Sequence, residues 1–522
     1  MKKSKKKINP FIIFRRFLTA ILLLVFLFLQ ILFYYELIID IFQNVDVPVF
    51  RYAYFVVLCL GIIAILRLYN KDVNISYKLT WTILILLFPF FGVFIYFIYG
   101  NGKTLPKRKT KFIRKNVTNN LPFNNHKDIL KEHDKTTYKL LYGLQNSTGY
   151  PSFNNSHIEF FKDTVDKFEA VINDIKTAKK YIFLEFFIVS EGKLLTRLIE
   201  ELKQKASEGV KIYFIYDDVG CKTTLRRKTV KELSKINNFN ISAFSPFGRL
   251  FNPALNYRDH RKIIVIDGIK AYTGGDNLAD EYIHEKIRFG KWRDNSLKIE
   301  GQGVTSFVVL FLEMWYLSTK TVLDINEFVI KNEEEANTLN ESFILPFGDG
   351  PTYKNHPTYS LFSNMISSAN EKIYISTPYF IIDKSFINTL VRAIKSGIEV
   401  VLLVPHIPDK RIVFYITRGH YGEILRAGGK IYEYKEGFNH AKNIFVDTKY
   451  AYVGTSNFDY RSLFLHFECG VFISKDLSII EMEKDFLETI NNSKEIKYEE
   501  WKKRPWYQKI IEHALSFLSP LF

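Results

Sequence analysis

The chain has 522 residues, room for a membrane segment plus two domains of ordinary size, and its 47% hydrophobic and 24% charged content is that of folded protein. Its net charge of +17 first suggests nucleic acid, but residues 1–115 hold 18 Lys and Arg against four acids, which leaves the other 407 residues near neutral. The basic excess therefore suits membrane flanks facing anionic lipid, and no nucleic-acid partner is expected.

In chain order, MKKSKKK leads into an apolar run over residues 17–35, about the ~20 residues of a bilayer-spanning helix. This run exceeds the apolar region of a signal peptide and is followed by no small-x-small site, so it reads as an anchor. Apolar runs over residues 50–66 and 79–99 follow without amphipathic period, and the second contains Pro89 and Gly92. Lys2 to Lys7 and the cluster from Lys103 to Lys115 both favour the cytoplasm, whereas three full spans would separate them. Either one run is re-entrant or interfacial, with residues 79–99 the first candidate, or one cluster breaks the rule. The expected localisation is the cell membrane, with more than one pass.

Residues 101–150 are polar, rich in Lys and Asn, and read as a linker. From Ile158 onward helices and strands alternate: a helix over 163–178, the strand YIFLEFFIV, a helix over 191–208 and the strand VKIYFIYDD. The same order returns as a helix over 359–370, YISTPYFII, a helix over 384–396 and VVLLVPH. This predicts a duplicated α/β unit, residues 151–335 and then 336–500. The tail from 501 to 522 is cationic and then apolar, with Trp501 and Trp506 beside Lys502, Lys503 and Arg504, as in a membrane-interfacial helix or one docked on the core.

The duplication is sharpest at HRKIIVID, residues 260–267, which recurs as HAKNIFVD, residues 440–447. His260, Lys262 and Asp267 match His440, Lys442 and Asp447; Gly274 and Asn277 match Gly454 and Asn457 at the same spacing. On a strand, His and Lys two apart share a face, while the Asp has opposite parity. Asp267-Gly268 is a hairpin signal, and a turn centred between 268 and 269 would bring Asn277 opposite His260, as Asn457 would lie opposite His440. Each half then offers an imidazole, an ammonium and a carboxamide, a set suited to a phosphoryl group. Asp267 and Asp447, motif members in the catalytic stretch, read as turn stabilisers. Phosphodiester exchange needs one group to attack and one to protonate the leaving oxygen, so two His from two halves packed face to face would complete one site.

Taken together, the HxKxxxxD pair resembles the phospholipase D superfamily, and NYRDHRKIIVIDG, TGGDN, WRDNSLKIEG, LEMW, TPYF, VGTSNFDYRSL and HFE resemble its bacterial cardiolipin synthase branch. The resemblance runs from about residue 50 to the C-terminus and includes the apolar segment 79–99. It implies two tandem phospholipase D-like α/β sandwich domains related by a pseudo-twofold, with the active site at their interface, after N-terminal transmembrane helices. It further implies phosphatidyl transfer between two phosphatidylglycerols through a phosphohistidine on His260, with His440 as acid and then base. Lys262, Lys442, Asn277 and Asn457 would hold phosphate oxygens, with Ser456 nearby, and Asp294 and Glu468 would orient the imidazoles. A hydrolytic phospholipase D, or a synthase with another donor or alcohol, is the alternative. No cofactor is implied, and no metal: the other His form no ligand spacing and the paired Lys supply positive charge. Asp217 and Asp218, which could be mistaken for a metal pair, read as loop caps, and His466 as a neighbour of the site.

Overall fold

The computed structural model describes residues 48–71, 73–100, 134–245, 256–329, 342–353, 355–517 and 519–521, with scattered positions between 25 and 35. The described residues fall into two compact units, the N-terminal residues up to 100 in one and nearly all the rest in the other. The expected span at 17–35 lies largely outside the described residues.

In the N-terminal unit, α1 (Pro48–Tyr69) is followed by α2 (Ile75–Leu87), α3 (Pro89–Ile95) and a π turn (Tyr96–Gly100). The run 79–99 is thus not one helix. Pro89, which has no N–H to donate and crowds the preceding turn, ends α2 at Phe88 and opens α3. In α1 the charge-free stretch between Arg51 and Arg67 is 15 residues, short of the ~20 that span a bilayer. Among the described residues no helix is long and apolar enough to cross a membrane, so the full spans expected there are not seen as single helices. These helices nevertheless expose large apolar side chains, among them Phe55, Val56, Leu66, Ile75 and Leu87.

The larger unit opens with α4 (Lys135–Thr148), where a linker was expected. Asp134 caps its N-terminus by accepting the Thr137 N–H, and Leu140, Leu141 and Leu144 share one buried face. That local amphipathic period was hidden within a mostly polar stretch. The chain continues through β1 (Ser156–Phe161), α5 (Thr164–Thr177), β2 (Tyr181–Phe186), α6 (Lys193–Ser207), β3 (Lys211–Asp217), α7 (Arg227–Leu233) and β4 (Phe239–Phe244). Then come β5 (Ile263–Ile266), β6 (Lys270–Gly274), β7 (Lys291–Arg293), β8 (Ser296–Gly301) and α8 (Val304–Thr319). The later part holds β9 (Phe343–Asp349), α9 (Pro357–Ser367), β10 (Lys372–Ser376), β11 (Phe380–Ile381), α10 (Lys384–Lys395), β12 (Glu399–Pro405), α11 (Arg411–Ala427) and β13 (Lys430–Tyr434). It ends with β14 (Gly437–Asn439), β15 (Asn443–Val446), β16 (Tyr450–Gly454), β17 (Phe458–Asp459), α12 (Tyr460–Phe464), β18 (Glu468–Ser474), α13 (Ser478–Asn491), β19 (Ser493–Glu495), α14 (Tyr498–Lys502) and α15 (Trp506–Phe517).

One sheet runs β1-β8-β6-β5-β2-β3-β4; the other runs β19-β13-β12-β10-β15-β16-β18-β9. Read from β9, the second repeats the first, with β19 added at its far edge, and parallel and antiparallel neighbours match throughout. The repeat seen in the motifs is therefore a repeat of topology. Helix α8 is apolar on every face and buried along its length, as a helix with no water-facing side must be. Its Phe307, Leu310 and Phe311 belong to one core with strand residues of both sheets, such as Phe183 and Leu345.

At the tail, Trp501 turns inward and donates its indole N–H to the Arg418 carbonyl, while Arg504 stacks 3.6 Å over its ring and pairs with Glu512. Trp506, Tyr507, Ile510 and Ile511 remain exposed. The two tryptophans that the sequence grouped together thus separate into one docked and one outward residue.

Candidate active site

The two motif hairpins place the site. Ile263 faces Thr273 and Ile266 faces Lys270, and in the second copy Asn443 faces Val453 and Val446 faces Tyr450. Each turn is centred on one residue, 268 or 448, with a three-residue loop, so the expected two-residue turn is corrected by half a step and Asn277 is not the register partner of His260. Asp267 and Asp447 open these loops with φ of 53° and 54°, the left-handed region that Asp tolerates. The Asp267 carboxylate accepts the N–H groups of Lys179, Lys180 and Tyr181; that of Asp447 accepts those of Asn370, Glu371 and Lys372. Both acids are tied to the opposite strand starts and make no contact with either imidazole. Asp267 and Asp447 thus stand at the turns, apart from the imidazoles with which the motif groups them.

His260 lies in an extended segment just ahead of β5 rather than on its pleat. The segment runs beside the start of β18: the His260 N–H donates to the Phe467 carbonyl at 2.9 Å, and the Phe467 N–H donates to the Arg258 carbonyl at 2.8 Å. This brings His260 Nδ1 to 3.0 Å from both oxygens of Glu468. The second copy repeats the device. Strand β14 pairs with β7 in parallel, the His440 N–H donates to the Arg293 carbonyl at 2.7 Å, and His440 Nδ1 stands 2.6 Å from Asp294 Oδ2. Gly275 makes room for this carboxylate, because a side chain there would collide with Asp294 Oδ1. Each imidazole is therefore held by an acid from the other half of the chain, and with the proton on Nδ1 facing the acid, each Nε2 presents a lone pair.

Both lysines reach the same centre. Lys262 Nζ donates to the His260 carbonyl at 2.6 Å, and Lys442 Nζ donates to the His440 carbonyl and stands 2.9 Å from His440 Nδ1. Burial pushes Lys262 down to about 8 and Lys442 to about 7. Burial, reinforced by the lysine charges, holds His260 and His440 well below the ordinary imidazole value, so both are neutral. Asp294 is raised to about 6 and Glu468 is raised as well, again by burial first. Aromatic walls exclude water: the ring of Phe187 lies 5.0 Å from that of His260, and Trp292, Tyr282 and Phe438 surround His440 at 5.6 to 5.8 Å.

The carboxamides differ from expectation. Asn277 Oδ1 accepts the Ile188 N–H, and its Nδ2 donates to the Tyr282 hydroxyl, which stands 3.5 Å from His440 Nδ1. Asn277 is thus linked to His440 through Tyr282, not set beside His260. Asn457 Nδ2 donates to Asp459, leaving its Oδ1 buried with no partner among the described residues; Ser456 beside it is fully buried. Tyr282, Trp292 and Phe187 were missed because they belong to no repeated string. Asp217 caps its loop through the Val219 and Gly220 N–H groups, as expected, and also forms a buried ion pair with Arg258 at 2.7 Å. Donor atoms of His260, His466 and Glu468 lie within 4.8 Å of one another, the one grouping with metal-ligand spacing among the described residues, which no sequence spacing indicated.

Comparison with known proteins follows the same lines. The profile of the cardiolipin synthase, phospholipase D-like domain matches residues 362–490, and that of the phospholipase D-nuclease N-terminal segment matches residues 59–101. The chain is 36% identical over 454 residues to cardiolipin synthase 2 of Bacillus cereus, covering 85% of this chain and 87% of that one. It is 33% identical over 462 residues to an uncharacterized protein of Streptococcus mutans, covering 88% and 99%. In fold it is similar to the crystal structure of phosphatidylserine synthase from Haemophilus influenzae, with a TM-score of 0.57 and 15% identity over 74% of this chain and 100% of that one.

Proposed function

The chain belongs to the cardiolipin synthase family, and on that premise we propose that it is a phosphatidyltransferase joining two phosphatidylglycerols into cardiolipin with release of glycerol. One observation carries this reading: two neutral imidazoles, each anchored at Nδ1 by a buried acid, with two buried ammonium groups beside them. Binding of the anionic phosphodiester favours the charged form of His440, which takes up a proton from solvent at Nε2 while Asp294 holds Nδ1. His260 Nε2 then attacks the phosphorus of the first lipid, and the bond to the glycerol oxygen breaks as that oxygen takes this proton. His440, now neutral, takes the proton of a glycerol hydroxyl on the second lipid. The freed oxygen attacks phosphorus, and the P–N bond to His260 breaks. Lys262 and Lys442 offset the charge on the non-bridging oxygens, as fixed donors do in a site closed to water. Asn457 and Ser456 border the same space, and Asn277 acts through Tyr282.

The matching strand orders support a pseudo-twofold relation between residues 151–335 and 336–500, with the site where they meet. The apolar side chains exposed on α1 and α2 and on α15 suit a bilayer and its headgroup layer, which also hold the substrate. The test is to incubate the protein in vesicles with phosphatidylglycerol labelled in the glycerol headgroup, and to resolve the products. Cardiolipin with released glycerol and no added nucleotide is the expected result. Phosphatidic acid alone would replace this reading with a hydrolytic phospholipase D.

A further inference from the structure

Beside His260 lies a cation that the chemistry above does not use. Arg461, on α12, is mostly buried, and its Nε donates to His466 Nε2 at 3.2 Å. Among the described residues no carboxylate lies within ion-pair distance of its guanidinium. The acid that acts on it most, Asp459, spends its oxygens on the Ser462 N–H and the Asn457 carboxamide. His466 offers no negative charge either: its Nε2 is an acceptor, so the ring is neutral with its proton on Nδ1, and burial together with Arg461 holds it in that form. Burial works against the charge of Arg461, and the neighbouring Arg258 adds to the cost while being paired with Asp217. A mostly buried guanidinium that is hydrogen-bonded to a neutral ring and has no carboxylate within ion-pair distance is open to an anion, and its planar fork matches two oxygens of a phosphate.

Position identifies which anion. The rings of His260 and His466 stand 5.6 Å apart, and Arg461 sits on the far edge of His466. Arg461 is therefore a neighbour of the phosphorus carried on His260 without touching it, one hydrogen bond from the ring that packs beside His260, where a second phosphate of the reacting lipids is closer than bulk solvent. We propose that Arg461 binds the phosphodiester of the acceptor lipid, the phosphatidylglycerol whose hydroxyl attacks the phosphohistidine. The assignment rests on the phosphatidyltransferase reading above. It makes Arg461 a specificity residue, choosing an acceptor that carries phosphate over water or a bare alcohol.

Two reactions of the full-length protein in vesicles separate the possibilities. Cardiolipin formation needs an acceptor with phosphate, whereas exchange of labelled free glycerol into phosphatidylglycerol uses the same phosphohistidine and an acceptor without one. Arg461→Gln is expected to slow cardiolipin formation about tenfold or more, the effect of removing a charged hydrogen bond, while glycerol exchange falls far less. Arg461→Lys should recover part of the loss. Equal loss of both reactions in Arg461→Gln, or loss of neither, overturns the proposal. Failure of the wild type to perform either reaction overturns the phosphatidyltransferase reading instead. Inorganic phosphate distinguishes the source of the anion: wild-type synthesis indifferent to it supports the lipid phosphodiester, and synthesis abolished by phosphate while exchange continues would assign the site to free phosphate.

Discussion

His260 and Glu468 are 208 residues apart in the chain and 3.0 Å apart in the fold. Their counterparts His440 and Asp294 are separated by 146 residues and lie 2.6 Å apart. Each half of the chain therefore supplies one imidazole to its own motif and one acid to the other half, so neither half alone orients a histidine.

Removing either acid without changing its shape should stop catalysis while leaving the fold intact. Glu468→Gln is expected to slow formation of a trappable phosphoenzyme roughly 10²- to 10⁴-fold, the scale seen when a carboxylate that sets an imidazole tautomer becomes an amide. Asp294→Asn should slow phosphoenzyme formation and release of glycerol together, because His440, which Asp294 holds, protonates the leaving oxygen as His260 attacks. Rapid quenching with phosphatidyl-labelled substrate measures both. Labelled phosphoenzyme on His440 rather than His260 would reverse the assigned roles.

The lysines predict a basic limb in the pH profile. With Lys442 at about 7 and Lys262 at about 8, the free protein loses both ammonium charges as pH rises through that window, so kcat/KM should fall there. Bound phosphate favours the charged forms, so the limb in kcat should lie at higher pH. A kcat/KM constant from pH 7 to well above 9 would mean that the lysines keep their protons in the free protein.

The same burial implies a cost in stability. Lys442 titrates at about 7 in the fold against 10.5 in the unfolded chain, so between these values the unfolded state binds more protons and stability should rise with pH. Lys442→Met should abolish activity and raise stability near pH 7 by on the order of 2–4 kcal/mol, with the rise in stability between pH 7 and 10 reduced. Urea midpoints in detergent across that range test it, and a destabilised variant would refute it.

Asp447 should behave in the opposite way to the catalytic groups. Burial would raise its carboxyl, but the backbone N–H groups of Lys372, Glu371 and Asn370 hold it below the ordinary value. Its stabilising contribution is therefore present above the ordinary carboxylate pKa and lost as pH falls through the lowered one. Asp447→Ala or Asp267→Ala should each cost about 1–3 kcal/mol by leaving three N–H groups without an acceptor, with turnover of the folded fraction retained.

On the C-terminal helix, Trp506 is 72% exposed, whereas Trp501 is docked on Arg418. In proteoliposomes containing brominated phospholipid, Trp506 fluorescence should be quenched, read as the difference between wild type and Trp506→Phe. Equal quenching in the two would put this face of the helix in water.

The sequence by itself determined the His and Lys pairs, the alternation of helices and strands and the duplication, because each is a local pattern of period or spacing repeated along the chain. Helices expected over 163–178 and 191–208 form as Thr164–Thr177 and Lys193–Ser207. It also marked Asp294 and Glu468 as orienting acids, but not which histidine each serves. Only the tertiary structure decided that, since pairing across 146 or 208 residues depends on how two sheets pack on α8 and on no local period. The half-step in the hairpins, which moved Asn277 from His260 to Tyr282, was likewise invisible, because Asp-Gly suits a two-residue and a three-residue loop alike. The break at Pro89 was legible as a residue; the sharing of run 79–99 between two short helices became visible only in the fold.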